Sequence, residues 1–159
     1  MLTVEEGVGK MKAALAGRRD PDLVIAGRTS APQIAGIDET IKRARAYAAV
    51  GVDAIFLVGI KSRAELDAVH AAKIGKPLIL GNTPGELADK EYLSSRGVRI
   101  ALQGHQQFAA AVQGIYNTLK ALREGTKPGD LKGIASADLM KQLTRQADYD
   151  RWSKDFLGG

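Results

Sequence analysis

The stretch Leu23-Val-Ile-Ala-Gly-Arg-Thr-Ser-Ala31 combines a short apolar run with a single arginine and then enters a loop that contains Pro32. Consecutive apolar and small residues are typical of a strand covered on both faces, as in parallel sheets layered by helices. We therefore expect a strand over residues 23–28, buried on both sides. Arg28 then lies at the carboxyl end of that strand, where α/β proteins bind their ligands.

The same succession of helix, strand and polar loop recurs three more times. Apolar strands are predicted over residues 53–58, 78–80 and 98–102, each after a segment with helical spacing. Strands that alternate with helices at intervals of about 20 to 30 residues indicate right-handed crossovers and one parallel sheet. Four such α/β units can form an open, doubly wound sheet or half of an eight-stranded (β/α)8 TIM barrel, which typically needs about 250 residues.

Helix signals divide the chain further. Thr3 and Glu6 have the spacing of a capping box before a first helix, and a second helix is expected to begin at Asp38, after the loop that contains Pro32. A long helix over residues 106–124 has a continuous apolar stripe. Residues 1–124 are therefore assigned to the β/α units, and residues 125–159 to a linker and C-terminal helices.

Composition narrows the class of protein. The chain has 159 residues, 45% of them hydrophobic, and no apolar run near the roughly 20 residues that span a bilayer. The net charge is +5, but 23 basic and 18 acidic residues are interleaved and aromatics make up only 5%, so nucleic-acid binding is not expected. Without cysteine, and without signal-peptide features at Met1, the expectation is a cytoplasmic protein with no membrane partner.

Four segments resemble a known family. They are Ile25-Ala-Gly-Arg-Thr29, Asp38-Glu-Thr-Ile-Lys-Arg-Ala-Arg-Ala-Tyr47, Ala49-Val-Gly-Val-Asp-Ala-Ile-Phe56 and Lys76-Pro-Leu-Ile79. In this order they resemble the second half of the isocitrate lyase/phosphoenolpyruvate mutase superfamily. Leu57-Val-Gly-Ile60 and Gln103-Gly-His-Gln106 are more similar to its oxaloacetate decarboxylase branch, whose members are often labelled carboxyvinyl-carboxyphosphonate phosphorylmutase.

The resemblance implies strands five to eight of a (β/α)8 barrel, followed by helices that in this family commonly swap onto a neighbouring subunit. It also implies a lyase for a small 2-oxo acid, with oxaloacetate decarboxylation to pyruvate and CO2 as the expected reaction. In the family, Mg²⁺ holds the enolate of pyruvate and stabilises its developing charge. The expected assembly is a homo-oligomer.

The chain departs from the family in its acidic residues. The Mg²⁺ ligands of the family belong to the first four strands, and this chain begins after them. Asp53 opens its predicted strand at the amino end, on the wrong side of the sheet. No metal-binding residue is therefore predicted here, and a catalytically incomplete half-barrel, either a fragment or a subunit that must pair, is the alternative to an active lyase.

Four residues at or just beyond the carboxyl ends of the predicted strands are candidates for the site. Arg28 can bind a carboxylate through two parallel hydrogen bonds, as the family does at this place, or it is simply solvated at a strand end. His105 is the catalytic candidate near the departing carboxylate, or it helps to begin the long helix. Asn82 and Thr83 can reach a bound substrate or serve only as turn residues.

A half-barrel leaves two strand edges whose backbone groups invite pairing with another chain, which favours an oligomer. A third interpretation, an open-sheet module for a phosphate or nucleotide, finds little support. No glycine-rich phosphate loop follows the first strand, and Gly27-Arg-Thr-Ser30 does not have the pattern of one.

Overall fold

A computed structural model describes residues 1–158 of the chain. It divides into two compact units, Met1–Gly104 and His105–Gly159. The first unit contains a four-stranded parallel sheet with its helices, and the second consists of helices and their connections. The predicted division into a half-barrel over residues 1–124 and a linker with C-terminal helices over residues 125–159 stays a prediction.

The sheet of the first unit has the simplest possible order, β1-β2-β3-β4, with every neighbouring pair parallel. Its strands are β1 (Ala26–Thr29), β2 (Ala54–Leu57), β3 (Leu78–Leu80) and β4 (Val98–Ala101). Consecutive strands of a barrel follow one another in this sequential order. In a doubly wound sheet, by contrast, the strand order reverses at a switch point. The predicted α/β class with four parallel β/α units is confirmed.

Five helices accompany the sheet: α1 (Val4–Gly17), α2 (Ala31–Ile34), α3 (Gly36–Ala49), α4 (Arg63–Ala71) and α5 (Lys90–Ser95). The predicted capping box of α1 is present, since the Glu6 amide donates to Thr3 Oγ1 at 3.1 Å and the Thr3 amide donates to Glu6 Oε2 at 2.8 Å. The side chains of Ser62 and Asp89 cap α4 and α5, since each accepts one amide of the first turn, that of Glu65 at 3.3 Å and that of Tyr92 at 3.0 Å. These caps satisfy amides that have no partner within the helix.

The hydrophobic core lies on one face of the sheet. Side chains of β2 and β3 meet those of α3, α4 and α5 there, and the fully buried members include Ile55, Leu57, Leu66, Val69 and Leu80. Neighbouring side chains of a strand point to opposite faces, so Phe56 and Ile79 lie on the other face, where both are only half-buried. Within the first unit, the helices thus cover one side of the sheet.

The prediction of a first strand buried on both faces is wrong. The paired strand begins at Ala26, and Leu23 and Val24 remain 56% and 65% exposed. Asp53 explains the later start, because its Oδ2 accepts the Ile25 amide and the Arg18 guanidinium, each at 2.8 Å. This ion pair anchors the incoming chain beside a first backbone hydrogen bond, from the Asp53 amide to the Ile25 carbonyl at 2.8 Å.

The loop predicted between residues 29 and 38 contains the short helix α2, which the sequence patterns did not predict. Pro32 lies in its first turn, where proline removes no helical hydrogen bond and its fixed φ suits the helix. The following helix α3 begins at Gly36, so Asp38 lies in its first turn and does not cap it. Ala44 and Tyr47 of α3 are buried.

The second unit contains α6 (Gln106–Arg123), α7 (Ala137–Leu143) and α8 (Gln146–Leu157). Over its described residues, none of these helices has a buried residue. The predicted apolar stripe of α6 is therefore exposed, with Phe108 at 71% and Ile115 at 61%. No helix within residues 1–158 is long and apolar enough to cross a membrane.

Candidate functional site

Arg28 lies next to last in β1, close to the carboxyl end of the strand, as predicted. Its neighbours Gly27 and Thr29 are buried, while Arg28 itself is exposed on the opposite face. The Thr29 hydroxyl accepts the Ala31 amide at 3.1 Å and so links the strand end to α2. This linkage holds the backbone beneath Arg28 in place.

The guanidinium of Arg28 has no hydrogen bond or ion pair with any residue in the described part of the chain. Its recorded contact is with a ring: the guanidinium carbon lies over Phe56, 5.7 Å from the ring centroid. Several other arginines of the first unit form hydrogen bonds, for example Arg43, whose Nε donates to Glu39 at 2.7 Å and whose Nη2 donates to the Leu2 carbonyl at 2.8 Å. Arg28 therefore has its hydrogen-bond donors available for an anionic ligand.

Asn82 and Thr83 follow β3 at the same end of the sheet. Asn82 is exposed, and its Oδ1 accepts the Thr83 amide at 3.0 Å, which is the contact of a turn residue. Thr83 is half-buried and lines a cavity of about 710 Å³ that also includes Lys90, Arg99 and Gln103. Because β2 separates β1 from β3, the backbones of β1 and β3 lie about 10 Å apart across the sheet, and this loop continues beyond the end of β3. A role for both residues in substrate binding stays a prediction.

His105 is exposed and stands at the N-cap of α6, the first residue of the second unit. Its side chain does not cap the helix, and its carbonyl oxygen accepts the Phe108 amide at 3.0 Å. The backbone of His105 thus begins the long helix, and its imidazole forms no capping hydrogen bond. The predicted role of His105 near the departing carboxylate stays a prediction.

Several acidic side chains of the first unit are bound to arginines. Asp53 pairs with Arg18 at the amino end of the sheet, Asp67 with Arg96, and Asp89 with Arg63. The pKa of Asp53 is lowered first by the Ile25 amide and then by Arg18, and that of Asp67 is lowered first by the hydrogen bond from Arg96. These pairs fasten elements of the fold to one another, and none follows a strand end as a candidate ligand would.

The residues present do not fit a magnesium site. Within residues 1–158, no three His, Asp or Glu side chains lie close enough together to hold a metal ion. Mg²⁺ prefers several oxygen ligands in octahedral geometry, and the paired carboxylates described above do not converge.

The sequence did not predict two residues that form the surroundings of Arg28. Phe56 touches Arg28 because the two are register partners across β1 and β2. Gly81 adjoins Phe56, since a Cβ at this position would lie 3.3 Å from Phe56 Cε2 and 3.0 Å from Val58 Cγ2. The alternation of β2 could have placed Phe56 on the open face, but only the register shows that it lies beside Arg28.

The family model for phosphoenolpyruvate phosphomutase matches residues 1–123, which is well over half of the chain. The chain belongs to the phosphoenolpyruvate phosphomutase family. The resemblance to the isocitrate lyase/phosphoenolpyruvate mutase superfamily, stated above from the strand segments, is thereby confirmed. The four parallel units correspond to part of the (β/α)8 barrel of that superfamily.

A relative of this phosphomutase-family chain is an oxaloacetate decarboxylase of Bradyrhizobium diazoefficiens. It is 56% identical over 158 residues, which are 99% of the chain and 54% of the relative. The chain thus spans about half the length of the curated relatives it matches.

Solved structures agree on the fold. The chain resembles the phosphoenolpyruvate phosphomutase of Streptomyces platensis with a TM-score of 0.78 and 25% identity, over 99% of the chain and 56% of that structure. It also resembles a phosphonopyruvate hydrolase in complex with oxalate and Mg²⁺, with a TM-score of 0.75 and 25% identity, over 99% of the chain and 57% of that structure. A divalent metal is therefore present in at least one structural neighbour.

Proposed function

We propose that this chain supplies the carboxylate-binding half of a Mg²⁺-dependent lyase for small 2-oxo acids, with oxaloacetate decarboxylation to pyruvate and CO2 as its reaction. The observation that carries the proposal is Arg28, an exposed guanidinium without an ionic partner among the described residues, at the carboxyl end of a parallel strand. The identity of 56% to an oxaloacetate decarboxylase supports the choice of substrate.

The proposed chemistry assigns a role to each candidate. Arg28 binds the carboxylate beside the oxo group through paired hydrogen bonds, and Asn82 and Thr83 add polar contacts. The bond to the distal carboxylate breaks, CO2 leaves, and the electron pair stays on the methylene carbon as the enolate of pyruvate, which then takes up a proton. His105 lies near the departing carboxylate. Bound Mg²⁺ would stabilise the developing negative charge of the enolate, with ligands that we place outside residues 1–158.

Oxalate binding tests the role of Arg28. Calorimetric titration of the chain with sodium oxalate, with and without Mg²⁺, should show binding that Arg28→Ala abolishes and Arg28→Lys weakens, because lysine cannot form the bidentate pair. Arg19→Ala is the matched control: Arg19 is also exposed, and it precedes the strand. Unchanged oxalate binding by the Arg28→Ala variant would contradict the proposal.

Pyruvate release from oxaloacetate tests the activity. The rate must be compared with that of Mg²⁺ alone, since the free metal also decarboxylates this substrate. A rate above the metal blank that is lost in Arg28→Ala and reduced in His105→Ala supports the lyase. A His105→Ala variant with the full rate would remove His105 from the proposed site.

A second candidate function is a half-barrel that pairs with another chain and has no activity of its own. The observation that favours it is the lack of a fitting metal-ligand set in the described part of the chain. The exposed apolar stripe of α6, which includes Phe108, Val112 and Ile115, supports a homo-oligomer in which the C-terminal helices pack on another subunit. Oxalate binding without catalysis above the blank, together with a dimer by light scattering, would favour this function. A cytoplasmic location stays a prediction.

A further inference from the structure

A row of register partners crosses the open face of the sheet. Arg28 of β1 pairs with Phe56 of β2, and Phe56 pairs with Ile79 of β3. Residues paired in a parallel sheet point to the same face, so these three side chains lie side by side. Their chain neighbours Thr29, Leu57 and Leu80 are buried on the opposite face and hold the three strands in this register.

The ring of Phe56 lies close to Gly81. It is half-buried, and the absence of a side chain at Gly81 leaves it room, since a Cβ there would come within 3.3 Å of Phe56 Cε2. Contacts of 3.0–3.4 Å are tighter than ordinary van der Waals distances, so a larger residue at position 81 would displace the ring or Val58. Gly81 therefore leaves room for the Phe56 ring on the face that it shares with Arg28.

The recorded contact of the Arg28 guanidinium is the Phe56 ring. A long arginine side chain samples many rotamers, and its ordering costs free energy when a ligand binds. No hydrogen bond from residues 1–158 restrains the guanidinium, whereas the ring 5.7 Å away attracts it as a cation. An aromatic contact uses the π-face of the ring and leaves the N–H donors of the guanidinium free for a carboxylate.

We propose that Phe56 is a positioning residue that holds the Arg28 guanidinium in place for a carboxylate ligand. The inference rests on the proposed function, since it presumes that Arg28 binds that carboxylate. Phe56 has no contact with substrate in this scheme and acts only through Arg28.

Substitutions that keep or remove the aromatic ring test the proposal. Phe56→Leu should weaken oxalate binding about three- to tenfold, the range expected when a side chain that was restrained must be ordered as the ligand binds. Phe56→Tyr, which keeps the ring, should bind oxalate like the wild type. Ile79→Ala is the matched control, because Ile79 occupies the same row without touching Arg28, and its affinity for oxalate should be unchanged.

A double-variant cycle separates positioning from general damage to the fold. In the Arg28→Lys background, Phe56→Leu should weaken oxalate binding by a smaller factor than in the wild type, because the planar guanidinium is gone. Equal factors in the two backgrounds would overturn the proposal. Wild-type affinity in the Phe56→Leu single variant would also overturn it, while leaving carboxylate binding by Arg28 intact.

A measurement without ligand keeps the two proposals distinguishable. The Arg28 Nε–H resonance in ¹H–¹⁵N spectra should carry a ring-current shift in the wild type and in Phe56→Tyr, and it should lose that shift in Phe56→Leu. If oxalate does not bind or Arg28→Ala does not affect its binding, the proposed function fails. If the resonance is the same in all three proteins, the positioning role of Phe56 fails.

Discussion

The two faces of the sheet in the first unit differ in what they bury and what they leave available. The helix-covered face places Ile55, Leu57 and Leu80 at full burial, and it contains the core. The opposite face carries the row of Arg28, Phe56 and Ile79, continued by Ile100, which is 50% exposed. One strand thus supports stability with every second residue and presents possible binding groups with the residues between them.

The largest effect should come from the covered face. Leu57→Ala removes a fully buried side chain at the centre of the sheet and should lower the free energy of unfolding by about 2–5 kcal/mol. Urea denaturation followed by circular dichroism measures this change. Ile100→Ala on the open face should cost no more than about 1 kcal/mol, since Ile100 is half exposed. Equal losses in the two variants would contradict the distinction between the faces.

A smaller effect should come from the amino end of the sheet and should depend on pH. The Ile25 amide, and then Arg18, lower the pKa of Asp53 below its unfolded value of about 3.9. Asp53 therefore contributes stability that is fully present above that value and is lost as the pH falls through its folded pKa. Asp53→Asn should lower stability at neutral pH, and the difference from the wild type should shrink below about pH 4.

The amide of asparagine can still accept the Ile25 amide but carries no charge, so this substitution isolates the ionic contribution. Urea midpoints between pH 2.5 and 7 provide the measurement. A difference between the two proteins that is constant over this range would show that the charge of Asp53 does not matter.

The smallest effect on stability should come from Arg28. Arg28→Ala should change the free energy of unfolding by no more than about 1 kcal/mol, because the side chain is exposed and only its ring contact is lost. Arg43→Ala is the matched comparison: this arginine is buried and binds Glu39 and the Leu2 carbonyl, so its loss should cost about 2 kcal/mol. Equal costs in the two variants would mean that Arg28 is a structural residue.

Local signals predicted much of the fold. The capping box of Thr3 and Glu6, the positions of the strands and the parallel arrangement all follow from patterns within short segments. The start of β1 could not be predicted in this way, because it depends on Asp53, which is 28 residues from Ile25 in sequence. The short helix α2 was missed because Pro32 is compatible with both a loop and the first turn of a helix.

The candidate site was predicted only in part, because some of its contacts join residues that are distant in sequence. Arg28 could be placed at a strand end from sequence because the position depends on local pattern and chain direction. Its contact with Phe56 depends on register between strands, which arises from pairing over 28 positions of sequence. Burial of the first strand on both faces was inferred from its run of apolar residues. Arg28 and Ile100 are exposed on one face of the sheet, so an apolar run alone does not reveal which face the helices cover.

The outer edges of β1 and β4 have no strand partner within residues 1–158, since these strands stand at the two ends of the sheet. If both edges pair with another copy of the chain, folding and association become a single bimolecular equilibrium. The denaturation midpoint would then rise with protein concentration, as mass action requires. Dilution alone would unfold the protein, and a stability quoted without its concentration would have no fixed meaning.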